Sequence, residues 1–223
     1  TSNLLVINVT NDANTFSDKN KVGIRQDASM DYDLEFDSHK LFGWETAPQL
    51  WTAMGSEIFS TNYLSPLQTS YSLPLNFHAG VNSTYHLNFD GISSFDANIE
   101  IVLEDVISNT LVELSTQNNY SFTATTNDIS ERFILQFNLI NENNELVQEE
   151  SIRILYYDNS VSIINTTGNE GRVSIFDLSG KEIFSNNLTG EKLNSFSVNL
   201  SSGVYLIKAN AGTELNTTKI FIH

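Results

Sequence analysis

Cysteine is absent from this chain of 223 residues, and proline appears only three times. Without thiols there is neither a disulfide framework nor a thiolate metal site. Positive charge is scarce: 11 Lys and Arg stand against 27 Asp and Glu, for a formal net charge of −16. A chain this acidic is repelled by nucleic acid and by anionic lipid. No apolar run approaches the ~20 residues that a helix needs to cross a bilayer. Thr1-Ser2-Asn3 has neither the basic start nor the apolar core of a signal peptide. An exported form would therefore begin after cleavage or inside a longer chain.

Catalytic signatures are missing as well. There is no GxSxG elbow, no HExxH pair and no glycine-rich phosphate loop. The histidines, His39, His78, His86 and His223, are widely spaced. His78 and His86 fall on neighbouring predicted strands and would meet only across a hairpin, and zinc would still need a third ligand. Spacing alone singles out no glycosidase pair among 27 acids. No enzyme is expected.

What the chain does have is 40% hydrophobic residues, enough for a core, and only 17% charged ones. Period-two alternation marks strands with one wet face. It predicts strands at Leu4–Val9, Ser70–Phe77, Thr84–Phe89, Ile99–Leu103, Tyr120–Thr123 and Arg132–Ile140. Clusters of Asn, Asp, Gly and Ser punctuate them as turns. The one helical candidate is Ala47–Met54, with Pro48 suited to a first turn. The pattern predicts an all-β chain, with a jelly-roll-like β-sandwich over 1–157 and a small immunoglobulin-like β-sandwich over 158–223.

Charge supports a boundary near Tyr157. Residues 158–223 hold six acids (Asp158, Glu170, Asp177, Glu182, Glu191, Glu214) and five bases (Arg172, Lys181, Lys192, Lys208, Lys219), net −1. The remainder holds 27 − 6 = 21 acids and 11 − 5 = 6 bases, net −15. In the small module Val161 with Ile163, Val173 with Ile175, and Phe196 with Val198 and Leu200 share strand faces. Gly203–Lys208 is apolar on both faces until Lys208, as a central strand would be, and Ile220 and Ile222 close a final strand. A domain this small buries only about 60% of its unfolded surface, so it is expected to be marginal alone.

Two motifs stand out in this module. Asp177-Leu178-Ser179-Gly180-Lys181 has the form of a hairpin turn, with Gly180 free to take positive φ. Leu200-x-x-Gly203-x-Tyr205-x-x-Lys208 follows, then Lys219-Ile220-Phe221-Ile222-His223. In this order and spacing, residues 158–223 resemble the C-terminal sorting domain, type A, of proteins exported by the bacterial type IX secretion system. That family more often has Arg where Lys181 stands, and His223 is a less typical last residue. The resemblance implies a secreted or cell-surface protein taken across the outer membrane. Its partners would be a translocon, an outer-membrane shuttle and a sortase-like peptidase, with the cargo joined to lipopolysaccharide or released. It also implies that Gly180 and Gly203 shape turns, that Tyr205 sits inside the sandwich and that Lys219 lies in the terminal strand. None of these residues would be catalytic. A terminal strand at a sheet edge would offer unpaired backbone groups to a partner.

The upstream region carries a second resemblance, through Asp27–Lys40, Ala47-Pro48-Gln49-Leu50-Trp51, Ile101-x-Leu103-Glu104-Asp105, Tyr120-Ser121-Phe122 and Glu131-Arg132-Phe133. It is similar to a sandwich module of secreted surface proteins of Bacteroidetes, to which no activity is attached. A spacer or adhesion role follows. The alternative is a carbohydrate-binding module. Its platform would be Trp44 or Trp51, with His39 and Glu45 nearby for hydroxyl groups. Asp31-x-Asp33-x-Glu35-x-Asp37 suggests calcium. On a strand, however, its strict spacing of two puts four carboxylates on one solvated face and Tyr32, Leu34 and Phe36 on the other. No cofactor is expected otherwise.

Overall fold

Alternation builds most of the elements. In β1 (Asn3–Asn11) Leu5, Ile7 and Val9 are fully buried, while Asn8 and Thr10 face out. The computed structural model describes residues 3–54, 57–140, 151–157 and 159–222, with the side chains of 157 and 221 excepted. His223, Thr1 and Ser2 lie outside the described residues. The chain is nearly all β and divides into two compact units, the first reaching residue 147 and the second covering Gln148–His223.

The first unit continues with β2 (Asp18–Ile24), β3 (Ser38–His39), β4 (Gln49–Met54), β5 (Glu57–Leu64), β6 (Tyr71–His78) and β7 (Ser83–Asp90). After one 3-10 turn at Ile92–Ser94 come β8 (Ile99–Asp105), β9 (Thr110–Glu113), β10 (Asn119–Ala124) and β11 (Phe133–Leu139). They form one sheet in the order β10-β7-β1-β2-β5-β4-β6-β11-β8-β9, with β3 beside β5. The sheet folds back on itself. Phe77 of β6 meets Tyr85 of β7 at 4.8 Å and Phe122 of β10 at 5.0 Å, and Phe122 meets Phe133 of β11 at 4.9 Å, ring centre to ring centre. Two layers facing across these rings make the sandwich. β2 and β5 pair in parallel, outside the all-antiparallel pattern of a jelly roll.

Two local expectations fail. Ala47–Met54 is not a helix. Gln49 to Ala53 are all buried in β4, so both faces are covered and alternation vanishes. Asp31–Asp37 is not a strand. The N–H groups of Phe36 and Asp37 donate to Asp33 O at 3.1 and 2.8 Å, closing a turn. Asp33 N–H donates to Asp37 Oδ2 (2.8 Å), and Tyr63 N–H to Asp37 Oδ1 (2.7 Å). Aspartate side chains that bond nearby backbone favour turns over ladders. Leu34 is consequently 82% exposed instead of facing a core.

Buried polar groups pin the first unit. Arg132 donates through Nε (3.1 Å) and Nη2 (2.8 Å) to Asp105 Oδ2, and through Nη1 to Thr123 O (2.9 Å). Tyr120 OH donates to the same Asp105 oxygen at 2.9 Å. The Arg132 guanidinium carbon lies 4.3 Å from the centre of the Phe122 ring and 5.4 Å from that of Phe133. Lys40 Nζ donates to Asp18 Oδ2, which also accepts Leu50 N–H at 2.7 Å.

The second unit begins earlier than the sequence suggested. β12 (Ile152–Tyr157) pairs along its whole length with β13 (Ser160–Asn165), so the boundary near Tyr157 would cut a hairpin. Then come β14 (Gly171–Asp177), β15 (Glu182–Leu188), β16 (Leu193–Ser197), β17 (Gly203–Ala211) and β18 (Glu214–Ile222). The seven strands form sheets β12-β13-β16 and β15-β14-β17-β18. Their inner faces share a core that includes Ile154, Val161 and Ile163 from one sheet and Val173, Ile175 and Ile207 from the other. The fourth strand joins the third, whereas in a constant immunoglobulin domain it joins the first sheet. Gly171 is required where strands crowd: a Cβ there would lie 1.8 Å from Asn210 O.

Candidate functional site

The hairpin turn between β14 and β15 is built by one carboxylate. Asp177 Oδ1 accepts Ser179 N–H (2.8 Å), Ser179 Oγ–H (2.6 Å) and Lys181 N–H (3.1 Å). Gly180 N–H donates to Asp177 O at 3.0 Å, and Gly180 sits at φ +82°, as the turn demands. The Ser179 hydroxyl, then the Lys181 N–H, hold the Asp177 carboxyl below its ordinary range. Lys181 itself is exposed, as is Leu178 at 73%.

The second motif begins on the connection into β17. Leu200 packs against the core, and Tyr205 is buried inside the sandwich. Tyr205 OH donates to Ser201 O at 2.8 Å, four residues upstream, which clamps the turn before the sixth strand. This is the tyrosine-corner arrangement of immunoglobulin-type sandwiches. Gly203 corrects an expectation: it is the first residue of β17 and not a turn residue. A Cβ there would meet Tyr205 OH at 3.4 Å, an ordinary contact, so the clamp itself does not demand glycine at this position.

Strand register brings the motifs to one end of the four-stranded sheet. Asp177 stands opposite Tyr205, and Gly203 opposite Ile222. Asp177, Gly180, Lys181, Leu200, Gly203 and Tyr205 therefore cluster at the end where the last strand finishes. Lys208 and Lys219 lie further along the sheet, opposite Thr217 and Leu206, and both are exposed. Among the described residues β18 has β17 as its only sheet neighbour, and Asn216 Nδ2 on it donates to Ile152 O of β12 at 2.7 Å.

Sequence reasoning missed two polar anchors of this unit. Asn165, 1% exposed, donates to Asn169 O (2.8 Å) and Thr189 O (3.2 Å) and accepts from Thr167 N–H (3.1 Å). Asn194 accepts Thr189 N–H at 2.7 Å and donates to Glu191 O at 2.9 Å. The available signal was Asn at a strand end beside a Thr- and Gly-containing loop.

Upstream, the candidate residues separate. Trp51 is 4% exposed, with Phe42 edge-on at 5.2 Å, so its faces are not open to a sugar. Trp44 is 78% exposed, beside Leu41 at 86% and Phe42 at 55%. Asp31, Asp33 and Asp37 do not converge: among the described residues no group of three or more His, Asp or Glu is arranged to hold a metal. Burial pushes the Asp37 carboxyl up. His78 and His86 do not meet, because β6 and β7 are not sheet neighbours. His86 instead contacts Ser121 Oγ (2.8 Å) through Nδ1 and Asp12 Oδ1 (2.9 Å) through Nε2, tying β10, β7 and the end of β1. His39 Nε2 contacts Glu57 Oε2 at 2.7 Å, and its ring stacks on Tyr32 at 4.4 Å.

No curated protein matches the chain. Residues 150–223 match the family described as the secretion system C-terminal sorting domain. The match spans β12 to β18, the seven strands of the second unit, and begins near the structural boundary and not at residue 158. It carries a type IX secretion sorting signal at the C-terminal end, the mark of proteins exported to the cell surface or the extracellular space.

Proposed function

We propose that residues 148–223 act as a delivery tag read by an outer-membrane translocon and shuttle and trimmed by a sortase-like peptidase. The first unit is then a spacer or adhesion module, without catalysis. The carrying observation is the sorting-domain match over a separate seven-stranded unit that ends in an edge strand. An exposed edge offers a row of backbone donors and acceptors, which suits strand addition by a reader protein. Lys219, on that strand, places a charge where uncontrolled edge pairing would otherwise start. The test is to fuse residues 148–223 to an inert reporter in a bacterium with the secretion machinery, with and without Lys219–His223. Surface display should require the intact tail. Equal display of the truncated fusion would remove the edge strand from the recognition step.

A second reading is favoured by one feature, the exposed Leu41-Phe42-Gly43-Trp44 loop. An indole with a free face stacks on the apolar face of a sugar ring. The first unit then anchors the delivered protein to surface glycan, with or without calcium. A glycan array run with and without chelator on the wild type and on Trp44→Ala tests it. Silence across all sugars for the wild type leaves the spacer role alone.

A further inference from the structure

The first half of β17 is apolar on both faces, but only one face is covered. Tyr205, Ile207, Ala209 and Ala211 fill the core. Val204 and Leu206 point the other way, and Leu206 is 39% exposed in the middle of its sheet. Register extends this uncovered patch across the strands. Leu206 stands between Phe176 of β14 and Lys219 of β18, and Lys208 stands between Ser174 and Thr217. Arg172, on the same face of β14, is held by Glu182 at 3.0 Å and Ser185 at 2.8 Å. The outer face is thus an apolar stripe of Val204, Leu206 and Phe176 flanked by Lys208 and Lys219.

We propose that this outer face of the sheet β15-β14-β17-β18 is the docking surface for an export-machinery protein that offers an apolar centre inside an acidic rim. The proposal rests on the sorting reading above and names the surface and the chemistry of its reader. An apolar centre with a charged margin is the anatomy of a protein–protein interface. A purely anionic glycolipid surface would match the lysines but leave the Phe176–Leu206 stripe unpartnered. Four strands ~4.8 Å apart and a nine-residue β17 at ~3.3 Å per residue give a face of roughly 20 by 30 Å, about 600 Å². That falls below the ~800 Å² per partner of a standard stable complex and suits a handover that must later release the cargo. This face is distinct from the backbone edge of β18.

The full chain and its Leu206→Ser and Lys208→Glu variants, expressed behind a cleavable signal peptide in a bacterium with the secretion machinery, test the surface. The readout is the fraction of protein reached by antibody on intact cells. Each variant should lower that fraction about tenfold, as loss of an interface anchor or reversal of a rim charge does. Purified variants should melt at the wild-type temperature, since both side chains are exposed. If Leu206→Ser lowers the melting temperature, Lys208→Glu alone decides. Wild-type delivery by both folded variants overturns the docking face while leaving the sorting reading intact. Retention of the wild-type chain in the periplasm, with its signal peptide removed, defeats the sorting reading itself. Binding of the purified wild type to vesicles of anionic lipopolysaccharide that is lost in Lys208→Glu assigns the face to glycolipid and overturns the protein partner.

Discussion

Both units bury asparagine at strand ends to hold a loop, as Asn11 does in the first. Among the described residues, only the first also buries asparagines inside strands with polar atoms that meet no protein partner. In the second unit Asn165 and Asn194 sit at strand ends, and their amides satisfy loop backbone on all sides. In the first, Asn20, Asn62 and Asn76 sit within strands β2, β5 and β6. Asn20 donates to Phe59 O at 2.7 Å, but its Oδ1 meets no protein partner. Neither side-chain polar atom of Asn62 or Asn76 meets one, nor does Thr52 Oγ1. Every buried group left in this position costs about 1–3 kcal/mol of desolvation. The contrast separates polar residues that specify a loop from polar residues that tax a core. The small sorting unit spends its buried amides on turn geometry. The larger unit tolerates several that earn nothing visible within the protein.

The largest effect is expected at the first unit's buried ion pair. Arg132→Ala leaves Asp105 charged, 1% exposed and without its guanidinium, which should cost about 3–5 kcal/mol. Both tryptophans, Trp44 and Trp51, lie in the first unit, so urea unfolding followed by tryptophan fluorescence reports that unit. A midpoint within error of the wild type would break the assignment of Arg132 as its main polar pin. The acid limb should change as well. Burial alone would raise the Asp105 carboxyl, but hydrogen bonds from Arg132 and Tyr120 outweigh it and hold the group below its ordinary range. Its contribution is therefore present above the unfolded value near ~4 and lost as pH falls through the lower folded value. In Arg132→Ala the hydrogen bonds from Tyr120 and Ser108 still oppose the burial, but the largest lowering cause is gone, so this group's share of the acid limb should shrink.

Next in size is the asparagine contrast itself. Asn165→Ala strips partners from Asn169 O, Thr189 O and Thr167 N–H, and should cost about 1–3 kcal/mol by thermal unfolding. Asn62→Val should act in the opposite direction and stabilise by about 1–2 kcal/mol, because it removes two buried atoms that meet no protein group. Loss of stability in Asn62→Val would show that this amide is a working part of the first unit's core.

Strands with one wet face were legible from alternation: β1, β6, β7, β8, β10 and β11 stand where the pattern put them. β2 and β5 were not, because Asn20 and Asn62 occupy inward positions and interrupt the apolar series. β4 was mistaken for a helix because a strand covered on both faces has no period of two. The turn at Asp177–Lys181 was readable because its chemistry is local, whereas the place of Tyr205 inside the sandwich came from the family resemblance. Arg132 and Asp105 lie 27 residues apart, and no spacing rule joins a polar pair at that distance. The uncovered face of β17 was invisible for a related reason. An apolar run on both faces announces that both should be covered, not which one the chain itself covers.

The smallest expected effect tests whether that locally encoded chemistry is structural or only decorative. Tyr205→Phe keeps the ring in the core and removes the hydroxyl that donates to Ser201 O. A single neutral hydrogen bond of this kind contributes about 0.5–1.5 kcal/mol. Amide exchange should quicken at Gly203 and Val204, the first residues of β17, while the strand's far end near Ala211 keeps its protection. Uniform acceleration along β17 would mean that the hydroxyl supports the whole sheet. No change at Gly203 would mean that the corner is held by the buried ring alone. The localised outcome would place the clamp at the end of the sheet where Asp177, Gly203 and Ile222 meet in register, so that a loss too small to unfold the unit still loosens the end that gathers both motifs.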